Sequence, residues 1–334
     1  MKAVIVRQFT PFDQAEFGDL PDPMPGLGEV VVDVAAAEAN YPDILYIEGK
    51  YQTTPPFPFS PGLAGSGTVS VTGEGVKALI PGQRVLVLPH YGTYAEKVRV
   101  PAEFCHPMPD AMSFAVAAAL GLVSQTAWFA LTDRGAMQVG DTVLVLGATG
   151  GVGMAAVQLA KALGAAKVIA ATRGAEGAAC ALQHGADVAV DADMADLRVG
   201  LRNAVMTATE GHGADIVIDP VGGELSAAAL RAMAWRGRMV IVGFASGEIP
   251  KIAGNYLLVK NISVSGIQWT DYRARQTGLV AAAQARIFGL WQEGKLAPLI
   301  ARTLPLLRFG EALADLQASR VRGKIILTTG KEAV

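Results

Sequence analysis

Cysteine, long apolar runs and a surplus of either charge are what this chain lacks. Cys105 and Cys180 are its only cysteines. Two thiols make neither a disulfide framework nor a four-thiolate zinc site, and the chain reads as reduced and cytoplasmic. Lys plus Arg number 28 and Asp plus Glu 30. With no basic block among them, the charges give nucleic acid nothing to hold. The longest apolar stretch, FAVAAALGLV from Phe114 to Val123, is too short to cross a bilayer and reads as a buried helix, so no membrane is expected as a partner. The opening MKAVIVRQF alternates like an edge or barrel strand and lacks the apolar core and cleavage site of a signal peptide. His90, His106, His184 and His212 have no ligand spacing and read as surface or loop residues.

What remains is apolar and rich in glycine: 51% hydrophobic residues and 38 glycines in 334 residues, enough for two domains. The first third reads as turns and strands. EVVVDVAAAEAN is a strand entering a loop, GSGTVSVTGEGV has the look of a hairpin, and GQRVLVLP is a further strand. From Ser113 the texture changes. TVLVLG, KVIAAT, VAVD, DIVIDP and MVIVGF are short, nearly all-apolar runs separated by helical segments such as GMAAVQLAKALG and LSAAALRAMAW. That alternation predicts a doubly wound parallel sheet, buried on both faces. The soft boundaries fall near residues 122 and 265, giving a dinucleotide-binding domain over 123–265 and a second domain from 1–122 and 266–334.

The loudest signal is VLVLGATGGVGMAAVQLAKALGA, from Val143 to Ala165. A strand, a glycine turn and a helix follow one another, which is the context a dinucleotide fingerprint requires. Ala148 takes the first position of the G-x-G-x-x-G pattern, and Gly150 and Gly153 take the second and third. A side chain at Gly150 would block approach to a pyrophosphate, and one at Gly153 would hold the helix off the sheet. Ala148, Thr149, Gly150, Gly151, Val152 and Gly153 therefore form the candidate cradle, with the helix N-terminus facing the phosphates. A tight turn using glycine only for packing is the plainer alternative. At the end of the next strand an NAD site usually carries an acid for the ribose 2′-hydroxyl. Here IAATRGAEG offers Arg173 instead. A guanidinium suits the 2′-phosphate of NADPH, unless Arg173 is a surface residue paired with the nearby Glu176.

Five further stretches, ANYPDILYIEGKYQ, PFSPGLAGSGTVSVTGEGV, GDTVLVLGATGGVG, DIVIDPVGG and GRMVIVGFASGEIP, together resemble the medium-chain dehydrogenase/reductases. Within them the likeness is to the zinc-independent, zeta-crystallin-like quinone oxidoreductases, from Met1 to about Thr329. The resemblance implies an α/β chain: a Rossmann doubly wound parallel sheet plus a GroES-like irregular β-barrel catalytic domain. Zinc-dependent relatives carry a His and a Glu where Leu63 and Ala64 stand, and neither of these can ligate, so no metal is expected. Asn40, Asp43 and Tyr51 would lie beside the nicotinamide and substrate. Asn40 and Tyr51 could donate to an oxygen that gains charge as hydride arrives. Asn40 and Asp43 could equally only hold the loop, and Tyr41 and Tyr46 compete with Tyr51. Thr126, Gly222, Phe244, Ala245, Asn255 and Arg320 are the further cofactor contacts that the likeness implies.

The expected activity is NADPH-dependent hydride transfer to quinones or other α,β-unsaturated carbonyls. The alternatives are a reductase of enoyl thioesters such as acryloyl-CoA, or a non-catalytic NADPH-binding crystallin-like or RNA-binding protein. LLVKNISVSGIQW reads as a long β-rich edge through which relatives form a homodimer.

Overall fold

The computed structural model describes residues 1–330. The chain begins with an antiparallel pair, β1 (Lys2–Ile5) and β2 (Glu16–Asp19). The ten-residue β3 (Glu29–Glu38) leads into a short helix, α1 (Tyr41–Ile47). Then come β4 (Gly65–Thr72), β5 (Arg84–Val87), β6 (Lys97–Pro101) and β7 (Cys105–Pro107). Helices α2 (Phe114–Ala119) and α3 (Leu122–Phe129) follow. The alternation that the apolar runs predict is β8 (Thr142–Leu146), α4 (Gly151–Ala162), β9 (Lys167–Thr172), α5 (Gly174–Gln183), β10 (Val188–Asp191) and α6 (Leu197–Ala208). It continues through β11 (Ala214–Asp219), α7 (Gly223–Ala232), β12 (Met233–Ile241), α8 (Gly254–Lys260) and β13 (Ser263–Gly266). The chain closes with α9 (Trp269–Arg275), α10 (Thr277–Gln292), β14 (Ile300–Pro305), α11 (Phe309–Gln317) and β15 (Lys324–Thr328).

Two units divide these elements. The first holds Met1–Leu122, Arg275–Phe288 and the chain from Pro298 on; the second holds Val123–Ala274 and Gly289–Ala297. The sequence reading grouped all of 266–334 with the first unit. Residues 266–274 and 289–297 belong instead to the second, for visible reasons. Ile267 N–H donates to Ile241, Tyr272 stacks on Phe129 at 4.4 Å, and Ala297 N–H donates to Gln158 at 2.8 Å.

In the first unit β3 is the hub. The strand order is β14-β15-β3-β4-β5-β7, with β6 also paired to β3. The valines of β3 are buried because both its faces are covered. β4 pairs antiparallel with β3 and β5 and is one continuous strand, where the sequence suggested a hairpin within GSGTVSVTGEGV. β4 crosses β3 so closely at Gly67 that a Cβ there would lie 1.9 Å from the Asp33 carbonyl oxygen.

The second unit is a six-stranded sheet in the order β10-β9-β8-β11-β12-β13, with every pairing parallel. Counted from β8 this is 3-2-1-4-5-6, the doubly wound order whose ligands bind at the carboxyl ends of the strands. All five residues of β8 are buried, as a strand covered on both faces requires.

Three expectations are corrected here. LLVKNISVSGIQW is not one long strand: its start is the last turn of α8, Asn261 turns left-handed at φ 54°, and only Ser263–Gly266 joins the sheet, at its edge. His106 is not a surface or loop residue; it lies buried in β7, and burial pushes its imidazole down to about 4. The apolar run at Phe114 is part of a helical stretch, Phe114–Arg134, that among the described residues is long and apolar enough to cross a membrane; 83% of its 18-residue apolar window is buried within the protein, as a core helix would be.

Candidate functional site

The glycine turn after β8 separates into two kinds of glycine. At Gly153 a Cβ would lie 2.2 Å from the Gly147 carbonyl oxygen and 2.8 Å from Ala148 Cα, so α4 can seat against β8 only without a side chain there. At Gly150 the backbone is ordinary, with φ −76°, and the nearest heavy atom to a Cβ is 3.4 Å away. The fold itself does not require glycine at that position. What glycine provides at Gly150 is open backbone in front of the first amides of α4, which by helix geometry have no partner within the helix. Ala148 is buried and donates its N–H to Ala171, while Thr149, Gly151 and Val152 are partly exposed around the helix mouth.

The neighbouring strand ends complete this face of the second unit. β9 ends at the buried Thr172, and the exposed Arg173 precedes α5. Glu176, the acid three residues further on, is exposed as well. The side-chain oxygen of Thr172 is buried without a hydrogen-bond partner. A Cβ at the buried Gly177 would come within 3.4 Å of Thr172 and 3.7 Å of Thr149. After β11, the Asp219 carboxylate accepts the N–H groups of Val221 and Gly222, each at 2.9 Å, and the hydroxyl of Ser226. This holds Gly222 at φ 80° against Phe244, whose ring would meet a Cβ at 3.2 Å. Ala245 N–H donates to Pro220, tying the β12 end to the same turn. Asp219 escaped the sequence reading; an acid closing an otherwise apolar strand, DIVIDP, was its signal.

The other implied contacts lie on further elements. Thr126 is buried in α3, and Asn255 is exposed in the first turn of α8. Arg320 lies in the first unit, where Asp315 accepts from it twice, at 3.0 and 2.7 Å.

In the first unit, Asn40 and Asp43 meet at the start of α1, where Asn40 is the N-cap and Asp43 the third helical residue of a capping box. The Asp43 carboxylate accepts the Asn40 N–H at 2.8 Å and the Tyr94 hydroxyl at 2.8 Å. Asn40 is 3% exposed, and its amide is fully engaged. Its Nδ2 donates to the backbone and the carboxylate of Glu38, at 3.3 and 3.1 Å, and its Oδ1 accepts from Lys324 at 2.7 Å. The geometry therefore gives both residues the loop-holding role and leaves Asn40 no N–H for an outside oxygen. Burial pushes the Asp43 carboxyl up to about 7 and the Tyr94 phenol well above its usual range, and it raises Glu38 against the pull of Lys324. Glu38, Tyr94 and Lys324 were absent from the sequence reading. For Glu38 and Lys324 the signal was a charge beside an apolar run, AAAEAN and GKIILTT; Tyr94 had none.

The tyrosines are sorted by the same packing. Tyr46 is buried with its hydroxyl 2.9 Å from Thr53, and its ring stacks on Tyr51 at 4.5 Å. Tyr51 is only partly buried, whereas Tyr41 is exposed. Leu63 and Ala64 are buried apolar residues, and among the described residues no group of three or more His, Cys, Asp or Glu is placed to hold a metal.

Comparison with known proteins agrees with both halves of this description. Residues 26–110 match the alcohol dehydrogenase GroES-like domain, and residues 151–285 match the zinc-binding dehydrogenase domain. Quinone oxidoreductase-like protein 2 of Bos taurus is 36% identical over 300 residues, covering 90% of this chain and 85% of that protein. The Homo sapiens synaptic vesicle membrane protein VAT-1 homolog is 30% identical over 350 residues, covering 99% and 87%. A mycobacterial protein solved in complex with NADPH superposes with a TM-score of 0.90 at 29% identity, over 98% of this chain and all of that one. On sequence and architecture together, the chain belongs to the quinone oxidoreductase branch of the medium-chain dehydrogenase/reductase superfamily.

Proposed function

We propose that the protein is an NADPH-dependent, zinc-independent reductase of quinones or other α,β-unsaturated carbonyl compounds. The observation that carries this reading is Gly150, a glycine that the fold does not need, standing open before the N-terminus of α4. The turn from Ala148 to Gly153 would hold the pyrophosphate through backbone N–H groups and the helix dipole. Arg173, exposed just before α5, suits the 2′-phosphate, and the end of β9 carries no carboxylate to repel it. Gly222, Phe244 and Ala245 would line the nicotinamide end, with Thr126 and Asn255 as further contacts. When bound, the cofactor supplies a hydride; the protein's part is to position the acceptor and meet the charge that develops on its oxygen.

Tyr51 is the donor we assign to that oxygen. It is the partly exposed member of the Tyr46–Tyr51 stack. Asn40 and Asp43 hold the loop that carries it. Leu63 and Ala64 stand where zinc-dependent relatives carry ligands, so chelators should leave turnover intact. The exposed Leu258 and Val259, just ahead of the edge strand β13, support a two-fold dimer, and the expected setting is cytoplasmic. The deciding experiment follows NADPH oxidation with a naphthoquinone, a short enone and acryloyl-CoA, with and without a chelator. Turnover of the first two, unaffected by chelation, is expected. NADPH binding without any turnover would overturn the assignment.

A further inference from the structure

We propose that Lys324 is a positioning residue for the acceptor side of the protein: its buried ammonium, joined to Glu38, fixes Asn40 and so sets the start of α1 and the tyrosines beyond it. The proposal rests on the reading of Tyr51 as the acceptor's donor, but it stands on its own geometry. Lys324 reaches across from β15, some 285 residues along the chain. Its ammonium donates to the Ala39 carbonyl at 2.7 Å and to Asn40 Oδ1 at 2.7 Å, and lies 3.2 Å from Glu38 Oε1. The ammonium thus makes two hydrogen bonds and an ion-pair contact with the carboxylate oxygen that has no hydrogen bond. Its side chain is 6% exposed and that of Glu38 is 0%.

Two carboxylates, one ammonium, a phenol and an amide meet within this unit, and each holds the next. Lys324 orients the Asn40 amide, the amide donates to Glu38, the Asn40 N–H donates to Asp43, and Asp43 accepts from Tyr94. Backbone bonds run alongside: Ala39 N–H donates to Ile325 and Glu38 N–H to Ala64. These would join the strands without any lysine. Burying an ion pair brings little net stability over an apolar pair of the same size. What the ammonium adds is direction: it holds Asn40 Oδ1 and stands against the Glu38 carboxylate to which the same amide donates, so it sets which way the Asn40 side chain faces. From that cap α1 runs just seven residues to the Tyr46 turn, and Tyr46 carries Tyr51 by ring stacking and Thr53 by its hydroxyl.

The test is the full-length double variant Lys324→Met with Glu38→Gln, which removes both buried charges and keeps the volume. Asn40→Ser, which keeps a capping oxygen but releases the lysine, is the second variant in case the first does not fold. A positioning role requires faster amide exchange across residues 41–53, unchanged NADPH affinity, and a fall in kcat/KM for a naphthoquinone of about 100-fold, the loss that a misplacement near 1 Å brings. Wild-type exchange and wild-type kcat/KM in either folded variant would overturn it. If the wild-type protein turns over no quinone or enone, the proposed activity fails. The exchange measurement still decides whether Lys324 positions α1.

Discussion

The two candidate regions, one within each unit, are made by opposite means. In the second unit the turn after β8 works by leaving side chains out, with Gly153 yielding to the backbone of Gly147 and Gly150 yielding to nothing in the protein. In the first unit the start of α1 is crowded with buried polar groups, Glu38, Asn40, Asp43, Tyr94 and Lys324, each bonded to the next, while Glu38 Oε1 and Asp43 Oδ1 have no hydrogen bond. The difference teaches where each half should fail. A turn of bare backbone fails locally, when a single atom is added. A network of buried charges fails through whichever partner is left behind, because an uncompensated charge in the interior is strongly unfavourable.

The largest effect should come from separating the two glycines. Gly153→Val drives a side chain into the Gly147 carbonyl and should lower stability by about 3 kcal/mol or abolish folding. Gly150→Ala should shift stability by no more than about 0.5 kcal/mol while sharply weakening NADPH binding. Denaturant unfolding and cofactor titration read the two separately, and similar stability losses for both would erase the distinction between packing glycine and ligand glycine.

On the other half, Tyr51→Phe should slow enone reduction by roughly 100-fold or more, the usual result of deleting a donor aimed at a developing oxyanion. Quinone reduction should fall less, since a strongly oxidising acceptor needs less help, and NADPH affinity should hold. Wild-type enone rates in this variant would leave the loop only a wall.

A smaller effect is expected at Arg173. Arg173→Asp should weaken NADPH by about 10- to 100-fold, the range of one charge-assisted contact, and leave NADH nearly unchanged. Equal losses for both cofactors would make the residue structural.

The smallest concerns pH. Asp43 is lifted from 3.8 to about 7, first by burial, with Glu38 adding to the lift and Tyr94, Asn40 and Lys324 opposing it. The folded protein therefore keeps a proton that the unfolded chain releases. The associated stability is fully present below about 3.8 and declines as pH rises towards 7. Asp43→Asn imitates the protonated form, so its stability relative to wild type should improve by the order of 1 kcal/mol from about pH 5 to pH 8. A constant difference across that range would mean that Asp43 stays ionised throughout.

What could be read in advance follows the same division. The glycine turn, the acid-free end of β9 and the alternation of apolar strands with helices were legible because each is a local pattern: a turn, a cap or a period within some twenty residues. The β13 edge was misread in length because LLVK is apolar enough for either structure, and only packing made its last residues a helical turn. Asp43 and Asn40 were noticed, but their partners were not. Lys324 and Glu38 are 286 residues apart, and nothing in GKIILTT says where its lysine will point.

By itself, then, the sequence determined the doubly wound sheet and its glycine turn. Backbone freedom, strand burial and helix dipoles are consequences of neighbouring residues. The tertiary structure alone decided which polar groups near α1 are bound to one another. Satisfying a buried charge depends on partners brought from distant strands, and only the folded sheet brings β3 and β15 side by side.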